Sequence, residues 1–206
     1  MSQIKAIQTE YKGHKFRSRL EARWAVFFDA AGIKWEYEPQ GFECEDGTRY
    51  LPDFYLPEER MWCEVKPNNP ERAKELGRVL ACIEERGEIE TLLILPEIPK
   101  DDGRIPIYWF WAAYYNPLDK GVNLRRVFFN VGDSGYAYLQ TDFAVAGKSE
   151  IPEWNFLEWG AIHDYEMPYT DGNFYCDYLA NEEINILQKA YKAARQARFE
   201  YGETPY

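Results

Sequence analysis

The stretch Y-L-P-D-F-Y-L-P-E-E-R-M-W-C-E-V-K, residues 50–66, is the most informative part of this chain. Apolar segments at residues 48–56 and 61–66 flank residues 57–60, whose composition is typical of a turn, so the pattern predicts two antiparallel strands. Charged residues are depleted in buried strands. Three nevertheless interrupt these segments: Asp53, Glu64 and Lys66.

A turn centred between Glu58 and Glu59 fixes the predicted register of this hairpin. The register predicts three facing pairs: Asp53 with Glu64, Leu51 with Lys66, and Tyr55 with Trp62. Because side chains alternate between the two faces of a strand, Asp53, Glu64 and Lys66 would project from one face. Two like charges then lie roughly 5 Å apart at their Cβ atoms, which destabilises the pair unless something offsets the repulsion.

Solvent exposure, a raised pKa in one carboxyl group, or a bound cation would each offset this repulsion. Exposure is disfavoured because Leu51, Tyr55 and Trp62 are predicted on the same face. Mg²⁺ prefers carboxylate and carbonyl oxygens and keeps several waters. A divalent ion held by the two acids is therefore a reasonable hypothesis, and Lys66 would lie close to a water on that ion.

The segments around this hairpin predict a compact order of elements. Residues 18–31 form an amphipathic helix that Gly32 ends, because the apolar residues recur at helical spacing. Strand-like segments follow at residues 33–37 and 41–44, with a hairpin turn at Asp46-Gly47. A second helix begins at Asn69-Pro70 and ends near Gly87, and residues 91–95 suit a buried strand.

Beyond Pro96 the pattern becomes richer in strands. Strands are predicted at residues 108–111, 125–131 and 136–145, and a helix at residues 181–201. We therefore expect a core at residues 1–96 and, at residues 97–206, a β-rich elaboration with a C-terminal helix packed on that core. A second domain is the alternative.

Pro52-Asp53, followed after ten residues by Glu64-Val65-Lys66, resembles the signature of the PD-(D/E)xK nuclease superfamily. The predicted order of helix, three strands, helix and strand is similar to that of its restriction-endonuclease-like α/β (α+β) core. The stretches F-R-S-R-L-E-A-R-W, residues 16–24, and W-E-Y-E-P, residues 35–39, resemble more narrowly its phage-type and transposon-end-cleaving branches. The resemblance covers about residues 14–95.

The resemblance implies a catalytic set of Glu21, Asp53, Glu64 and Lys66. Asp53 and Glu64 would hold Mg²⁺ or Mn²⁺ together with the Val65 carbonyl, and Glu21 would bind a second ion or orient its water. Lys66 would position the attacking water or neutralise charge on the phosphate. Glu21 also has a structural interpretation, since Ser18-Arg19-Leu20-Glu21 is a capping box in which Glu21 bonds back to the amide of the N-cap residue.

The formal net charge of −11 over 206 residues fits poorly with a protein that binds nucleic acid along its whole surface. Residues 1–23 nevertheless carry six basic and two acidic residues, a local charge of +4. They include four candidate phosphate contacts: Lys15, Arg17, Arg19 and Arg23. The alternative for this segment is an ordinary solvated helix start.

The chain lacks the ~20 consecutive apolar residues of a membrane span, and its N-terminal residues are polar. It has four dispersed cysteines and two histidines, which argues against structural zinc and for reduced thiols. We therefore expect a cytoplasmic protein with no membrane association.

The predicted function is a metal-dependent endonuclease acting on DNA. The candidate partners besides DNA are another protein and a second copy of this chain. The first alternative is a non-catalytic acidic interaction protein, a DNA mimic or an inhibitor, that retains the nuclease fold. The second is a structural subunit of a phage or mobile-element assembly. The net charge and the aromatic content favour the acidic interaction protein, whereas the joint presence of Glu21, Asp53, Glu64 and Lys66 favours the enzyme.

Overall fold

A computed structural model of the protein describes residues 8–44, 46–66, 91–101, 108, 110–116, 121–131, 137–141 and 181–199. These ranges contain two helices, α1 (Arg19–Ala31) and α2 (Asn181–Gln196). They contain eleven strands: β1 (Thr9–Tyr11), β2 (His14–Phe16), β3 (Glu36–Tyr37), β4 (Phe42–Glu43), β5 (Arg49–Tyr50), β6 (Phe54–Leu56), β7 (Met61–Val65), β8 (Thr91–Leu95), β9 (Phe110–Asn116), β10 (Gly121–Val131) and β11 (Ala137–Thr141). This mixture agrees with the expected α+β class.

Seven of these strands form one mixed sheet, in the order β11-β10-β9-β8-β7-β6-β3. Strands β7 and β8 are parallel, and the other neighbours in this sheet are antiparallel. The remaining strands form two small hairpins, β1 with β2 and β4 with β5. All five residues of β7 are buried, as expected for a central strand that is covered on both faces.

Helix α1 has the predicted start and end. Ser18 is the N-cap, and its Oγ accepts a hydrogen bond from the Glu21 amide at 3.2 Å. Gly32 ends the helix in the left-handed conformation, at φ 74°, and its amide donates to the Asp29 and Phe28 carbonyls. The predicted helix over residues 18–31 is therefore confirmed.

The register predicted for the hairpin is confirmed where β6 and β7 pair. Phe54 faces Cys63, Tyr55 faces Trp62 and Leu56 faces Met61. The predicted pairing of Leu51 with Lys66 is wrong, because β6 begins at Phe54. Lys66 instead continues the pairing with β8, since its amide donates to the Leu95 carbonyl at 2.9 Å.

The predicted continuous strand over residues 48–56 is also wrong. The chain forms β5 and β6 separately, and these lie in different sheets. Pro52 lies between them and has no amide to donate to a strand ladder, which explains the interruption. The break matters for the site because it places Tyr50 on a separate hairpin.

Other predicted elements differ mainly in their bounds. The segments at residues 33–37 and 41–44 shorten to β3 and β4, whereas residues 91–95 form the predicted strand β8. The predicted helix at residues 69–87 lies outside the described residues. Strands β9, β10 and β11 lie near the predicted C-terminal strands, and α2 ends at Gln196 rather than at residue 201.

The core is formed where α1 packs against α2 and the large sheet. The Trp24 ring lies 5.6 Å from that of Phe110, the Phe28 ring lies 5.4 Å from that of Phe54, and the Phe27 ring lies 4.4 Å from that of Tyr191. Strand β9 continues the sheet that contains β8. The division of the chain into residues 1–96 and 97–206 stays a prediction.

The structure bears on two expectations, that the cysteines are reduced and that the chain does not cross a membrane. Cys63 is a free, buried thiol, whereas Cys44 is disulfide-bonded, so the expectation of reduced thiols is wrong for Cys44. In the described ranges no helix is long and apolar enough to cross a membrane. A cytoplasmic location stays a prediction.

Candidate active site

Asp53 is held at the start of β6 by its own backbone and by its carboxylate. Its amide donates to the Cys63 carbonyl at 3.0 Å, and its Oδ2 accepts a hydrogen bond from the Val65 amide at 2.7 Å. Both partners belong to β7, so the carboxylate is fixed against the neighbouring strand. The residue is only 2% exposed. Its second oxygen, Oδ1, is therefore the one that can meet a cation.

Glu64 lies on β7 and is 4% exposed. Its Oε1 is 2.5 Å from Lys66 Nζ, and its Oε2 accepts a hydrogen bond from the Tyr50 hydroxyl at 2.8 Å. Burial and the Glu64 charge hold the pKa of Tyr50 well above its usual value, so Tyr50 remains a hydrogen-bond donor at neutral pH. The β4–β5 hairpin thus contributes a group to the site through Tyr50.

Glu21, in the first turn of α1, is 7% exposed. Its Oε1 accepts from the Ser18 hydroxyl at 2.6 Å, and its Oε2 accepts from the Tyr37 hydroxyl at 2.7 Å and the Arg17 amide at 3.0 Å. Glu21 therefore does stabilise the helix start, but through Arg17 rather than through the predicted amide of Ser18. Even with this capping contact, the charge of Glu21 is close enough to raise the pKa of Asp53.

Arg17 bridges two acids at the site. Its Nη2 is 2.8 Å from Asp53 Oδ1, and its Nε is 2.7 Å from Glu38 Oε1. Burial alone would lower the pKa of Arg17, but the charges of Asp53 and Glu38 raise it, so the guanidinium is always charged. Glu38 has a left-handed backbone, at φ 46°, and its amide donates to the Asp53 carbonyl at 3.0 Å.

The site contains more negative charge than its cations balance. Burial, followed by repulsion from Glu64 and Glu21, raises the pKa of Asp53 to about 7, against the lowering effect of the Val65 amide and Lys66. Four carboxylates, including that of Glu38, face two cations, Arg17 and Lys66. When all of them are ionised the formal charge is −2, which one divalent ion would balance.

The donor chemistry of Asp53 and Glu64 fits a hard divalent ion, because both offer buried carboxylate oxygens. All four of these oxygens, however, already have a partner within the protein. Among the described residues, no three His, Cys, Asp or Glu side chains form one metal-holding group. An ion that binds Asp53 Oδ1 or Glu64 Oε1 would lie beside Arg17 or Lys66, and the repulsion between like charges favours displacement of that protein cation.

Val65 was predicted to contribute its carbonyl oxygen to the metal. In the structure Val65 contacts the site through its amide, which donates to Asp53 Oδ2. This bond fixes the orientation of the Asp53 carboxylate. The proposed role of the carbonyl oxygen stays a prediction.

The predicted phosphate contacts lie in different surroundings. Lys15, on β2, is exposed, whereas Arg19 and Arg23 are partly buried. Arg23 Nε donates to the Ala197 carbonyl, just beyond α2, at 3.4 Å. Of the four, the structure places Arg17 in contact with the acidic site, and the DNA contacts stay a prediction.

Three residues at the site were not identified from the sequence: Tyr37, Glu38 and Tyr50. Tyr37 and Glu38 belong to the W-E-Y-E-P stretch, so the resemblance pointed to their segment without giving them roles. Tyr50 precedes the break at Pro52, and strand alternation therefore could not place it. The remaining indication was the residue type itself, because a tyrosine hydroxyl can donate a hydrogen bond to a buried carboxylate.

The chain matches no protein-family model, no curated protein and no solved structure. Functional inference therefore depends on the arrangement of the side chains themselves. That arrangement is a buried pair of acids, with a lysine in contact with one of them and an arginine in contact with the other. Two further carboxylates, those of Glu21 and Glu38, leave the group with excess negative charge.

Proposed function

We propose that the protein is a metal-dependent nuclease that hydrolyses DNA phosphodiester bonds, with Mg²⁺ or Mn²⁺ as its cofactor and a restriction-endonuclease-like core. The observation that carries this proposal is the buried pair of Asp53 and Glu64, with Lys66 in contact with Glu64, within a group of four carboxylates that only two protein cations face. Burying like charges is costly, and a site that selects a cation is a common reason for a protein to retain them.

Asp53 and Glu64 would hold the metal ion, and the Val65 amide would keep the Asp53 carboxylate in one orientation. Tyr50 would do the same for Glu64 by donating to its Oε2. When bound, the ion would lower the pKa of a coordinated water and stabilise negative charge on the phosphate. These contacts support a preorganised site, because each acid is fixed by a neighbour that is not itself charged at neutral pH.

Lys66 would act at the attacking water or at the developing phosphate charge. Its Nζ contacts Glu64 Oε1, so its ammonium group is next to the carboxylate that would hold the ion. Its side chain is 30% exposed, which leaves it able to approach a substrate. A fixed cation at this position stabilises charge that increases in the transition state.

Glu21 would act less directly than Asp53 and Glu64. Its two oxygens are occupied by Ser18, Tyr37 and the Arg17 amide, and its charge raises the pKa of Asp53. These contacts favour Glu21 as a group that positions the N-terminal end of α1 and adds negative charge to the site. Binding a second ion would require breaking part of this network.

The charge of the molecule restricts the substrate. At −11, the protein is expected to bind ordinary duplex DNA weakly at physiological salt. A divalent ion would reduce the repulsion between the acidic site and DNA. Exposed Lys15, two residues before Arg17, offers a phosphate contact. Structured DNA, or DNA presented by a partner protein, is the substrate class that this balance favours.

The direct test is cleavage of linear, nicked, single-stranded and branched DNA in Mg²⁺ or Mn²⁺. Wild type should cut at least one of these, and Asp53→Asn, Glu64→Gln and Lys66→Met should each lower the rate by about 100-fold or more, since each removes a transition-state contact. Glu58→Gln is the matched control, because Glu58 pairs with Lys34 on the exposed turn outside the site. Equal cleavage by wild type and the site variants would rule out this active site.

A second candidate function is an acidic interaction protein that keeps this fold without cleaving DNA. The ion pair between Arg17 and Asp53 favours it, because Arg17 supplies Asp53 with a counter-charge without any metal. In this case wild type would cut none of the four DNA forms in either ion. It would instead bind a basic protein surface with an affinity that decreases as salt increases.

A further inference from the structure

We propose that Arg17 is the counter-cation of Asp53 until a metal binds, that a divalent ion displaces it from Asp53, and that the released guanidinium then contacts a phosphate of the substrate. This inference rests on the proposed function. It assigns Arg17 two successive partners, whereas the sequence pattern suggested only a contact with DNA.

The geometry singles out Asp53 Oδ1 as the place of exchange. The other oxygen, Oδ2, is bound to the Val65 amide at 2.7 Å, and an ion cannot replace that backbone donor without opening the contact between β6 and β7. Oδ1 is instead bound by Arg17 Nη2 at 2.8 Å. An ion that approaches Asp53 therefore meets the guanidinium.

Arg17 is better suited to leave than Lys66. The Arg17 side chain is 54% exposed and precedes α1, so its guanidinium can be hydrated once it is released. Asp53 is 3% exposed and still needs a counter-charge, which the divalent ion would supply. Lys66 is less exposed, and its backbone is fixed by the Leu95 carbonyl. The exchange thus costs least at Arg17.

Glu38 gives the displaced guanidinium a place to remain. Its Oε1 lies 2.7 Å from Arg17 Nε as an ion pair without hydrogen-bond geometry, so it attracts the guanidinium by charge and does not involve the nitrogen that pairs with Asp53. The Glu38 backbone is itself tied to the Asp53 carbonyl. A guanidinium has five donors, and loss of the Asp53 contact would leave the terminal nitrogens available to a phosphate at the edge of the site.

The two roles predict opposite effects of one substitution. Arg17→Gln should tighten Mn²⁺ binding about fivefold, because the ion no longer has to displace a guanidinium from Asp53 Oδ1. The same variant should weaken binding of a short branched DNA in Ca²⁺ by about fivefold or more, because a phosphate contact is lost. Mn²⁺ affinity can be measured from the free ion by electron paramagnetic resonance, and DNA affinity by fluorescence anisotropy.

Lys34→Gln is the matched control, since it removes one exposed positive charge that pairs with Glu58 outside the site. It should change Mn²⁺ affinity less than about twofold, because Lys34 has no role at Asp53. Arg17→Lys, which keeps the charge but lacks the two-sided guanidinium, should give an intermediate Mn²⁺ affinity.

Several outcomes would overturn the exchange: an Arg17→Gln affinity for Mn²⁺ equal to that of Lys34→Gln, a weaker affinity, or no Mn²⁺ binding by either wild type or Arg17→Gln. Unchanged DNA binding in Ca²⁺ would overturn the phosphate contact. Tighter Mn²⁺ binding in a protein that cuts no DNA would support the exchange while contradicting the proposed nuclease function, so the two failures are distinguishable.

Discussion

Asp53 is the residue on which the properties of the site converge. It is buried, it accepts a backbone hydrogen bond from Val65, it pairs with Arg17, and it is repelled by Glu64 and Glu21. The favourable contacts do not fully offset burial and repulsion, which is why its pKa rises to about 7. The guanidinium at Oδ1 leaves part of this cost, and a divalent ion at the same oxygen, with twice the charge, would offset more of it.

Asp53→Asn should therefore stabilise the metal-free protein at high pH. Between the unfolded value of 3.8 and the folded value of about 7, the folded state binds more protons than the unfolded state, so the free energy of unfolding decreases as pH rises. Asparagine avoids this loss and can still accept from the Val65 amide. We expect a gain on the order of 1–2 kcal/mol at pH 8, after discounting the lost contact with exposed Arg17.

The measurement is Tm at pH 8 and at pH 4.5 in chelator, where the advantage of Asp53→Asn should be present at the first pH and absent at the second. Glu58→Gln is the control, because it removes an exposed carboxylate and should show the same small difference at both pH values. A destabilised Asp53→Asn at pH 8 would contradict the raised pKa.

At the scale of elements, the hairpin shows which features the sequence could predict. Turn composition and strand alternation were sufficient for the register of β6 with β7, because both depend on local chain geometry. The break at Pro52 and the assignment of Tyr50 to a second sheet depend on how the β4–β5 hairpin packs. Phe42 of β4 packs against Trp62 of β7, with ring centroids 5.1 Å apart, a tertiary contact that local patterns do not specify.

The end of α1 depends on the conformation of Gly32. Its φ of 74° favours glycine, and substitution by alanine should cost about 1 kcal/mol of unfolding free energy. Gly41→Ala is the matched control, since a Cβ at Gly41 would meet the Tyr50 carbonyl oxygen at an ordinary 3.7 Å and needs no left-handed backbone. Urea denaturation of both variants measures the difference. An equal effect at the two glycines would contradict this account of the helix end.

At the scale of the whole molecule, α1 connects the site to the core. Its first turn carries Glu21, while Trp24, Phe27 and Phe28 pack on the sheet and α2. The apolar residues at helical spacing predicted this helix and its buried face. The partner surface could not be predicted, because the contact between Phe27 and Tyr191 joins residues that are distant in sequence.

Removing the hydroxyl group of Tyr191 and that of Tyr11 should change the stability of the protein in opposite directions. The Tyr191 hydroxyl is fully buried and finds no hydrogen-bond partner in the described part of the chain, so Tyr191→Phe should raise the free energy of unfolding by about 1 kcal/mol. The Tyr11 hydroxyl donates to Asp29 Oδ2 at 2.8 Å, so Tyr11→Phe should lower it by a similar amount. Chemical denaturation of both variants tests this pair, and a loss of stability in Tyr191→Phe would contradict the assignment of an unsatisfied hydroxyl.

The most direct test of the central claim, that Asp53 and Glu64 form a divalent-ion site, is a calorimetric titration with Mn²⁺. Wild type and Glu58→Gln should bind the ion with similar affinity, because Glu58 lies outside the site. The double variant Asp53→Asn/Glu64→Gln should lose this binding, since it removes the two carboxylates that would hold the ion. Binding that survives in the double variant, or no binding in wild type, would contradict the claim.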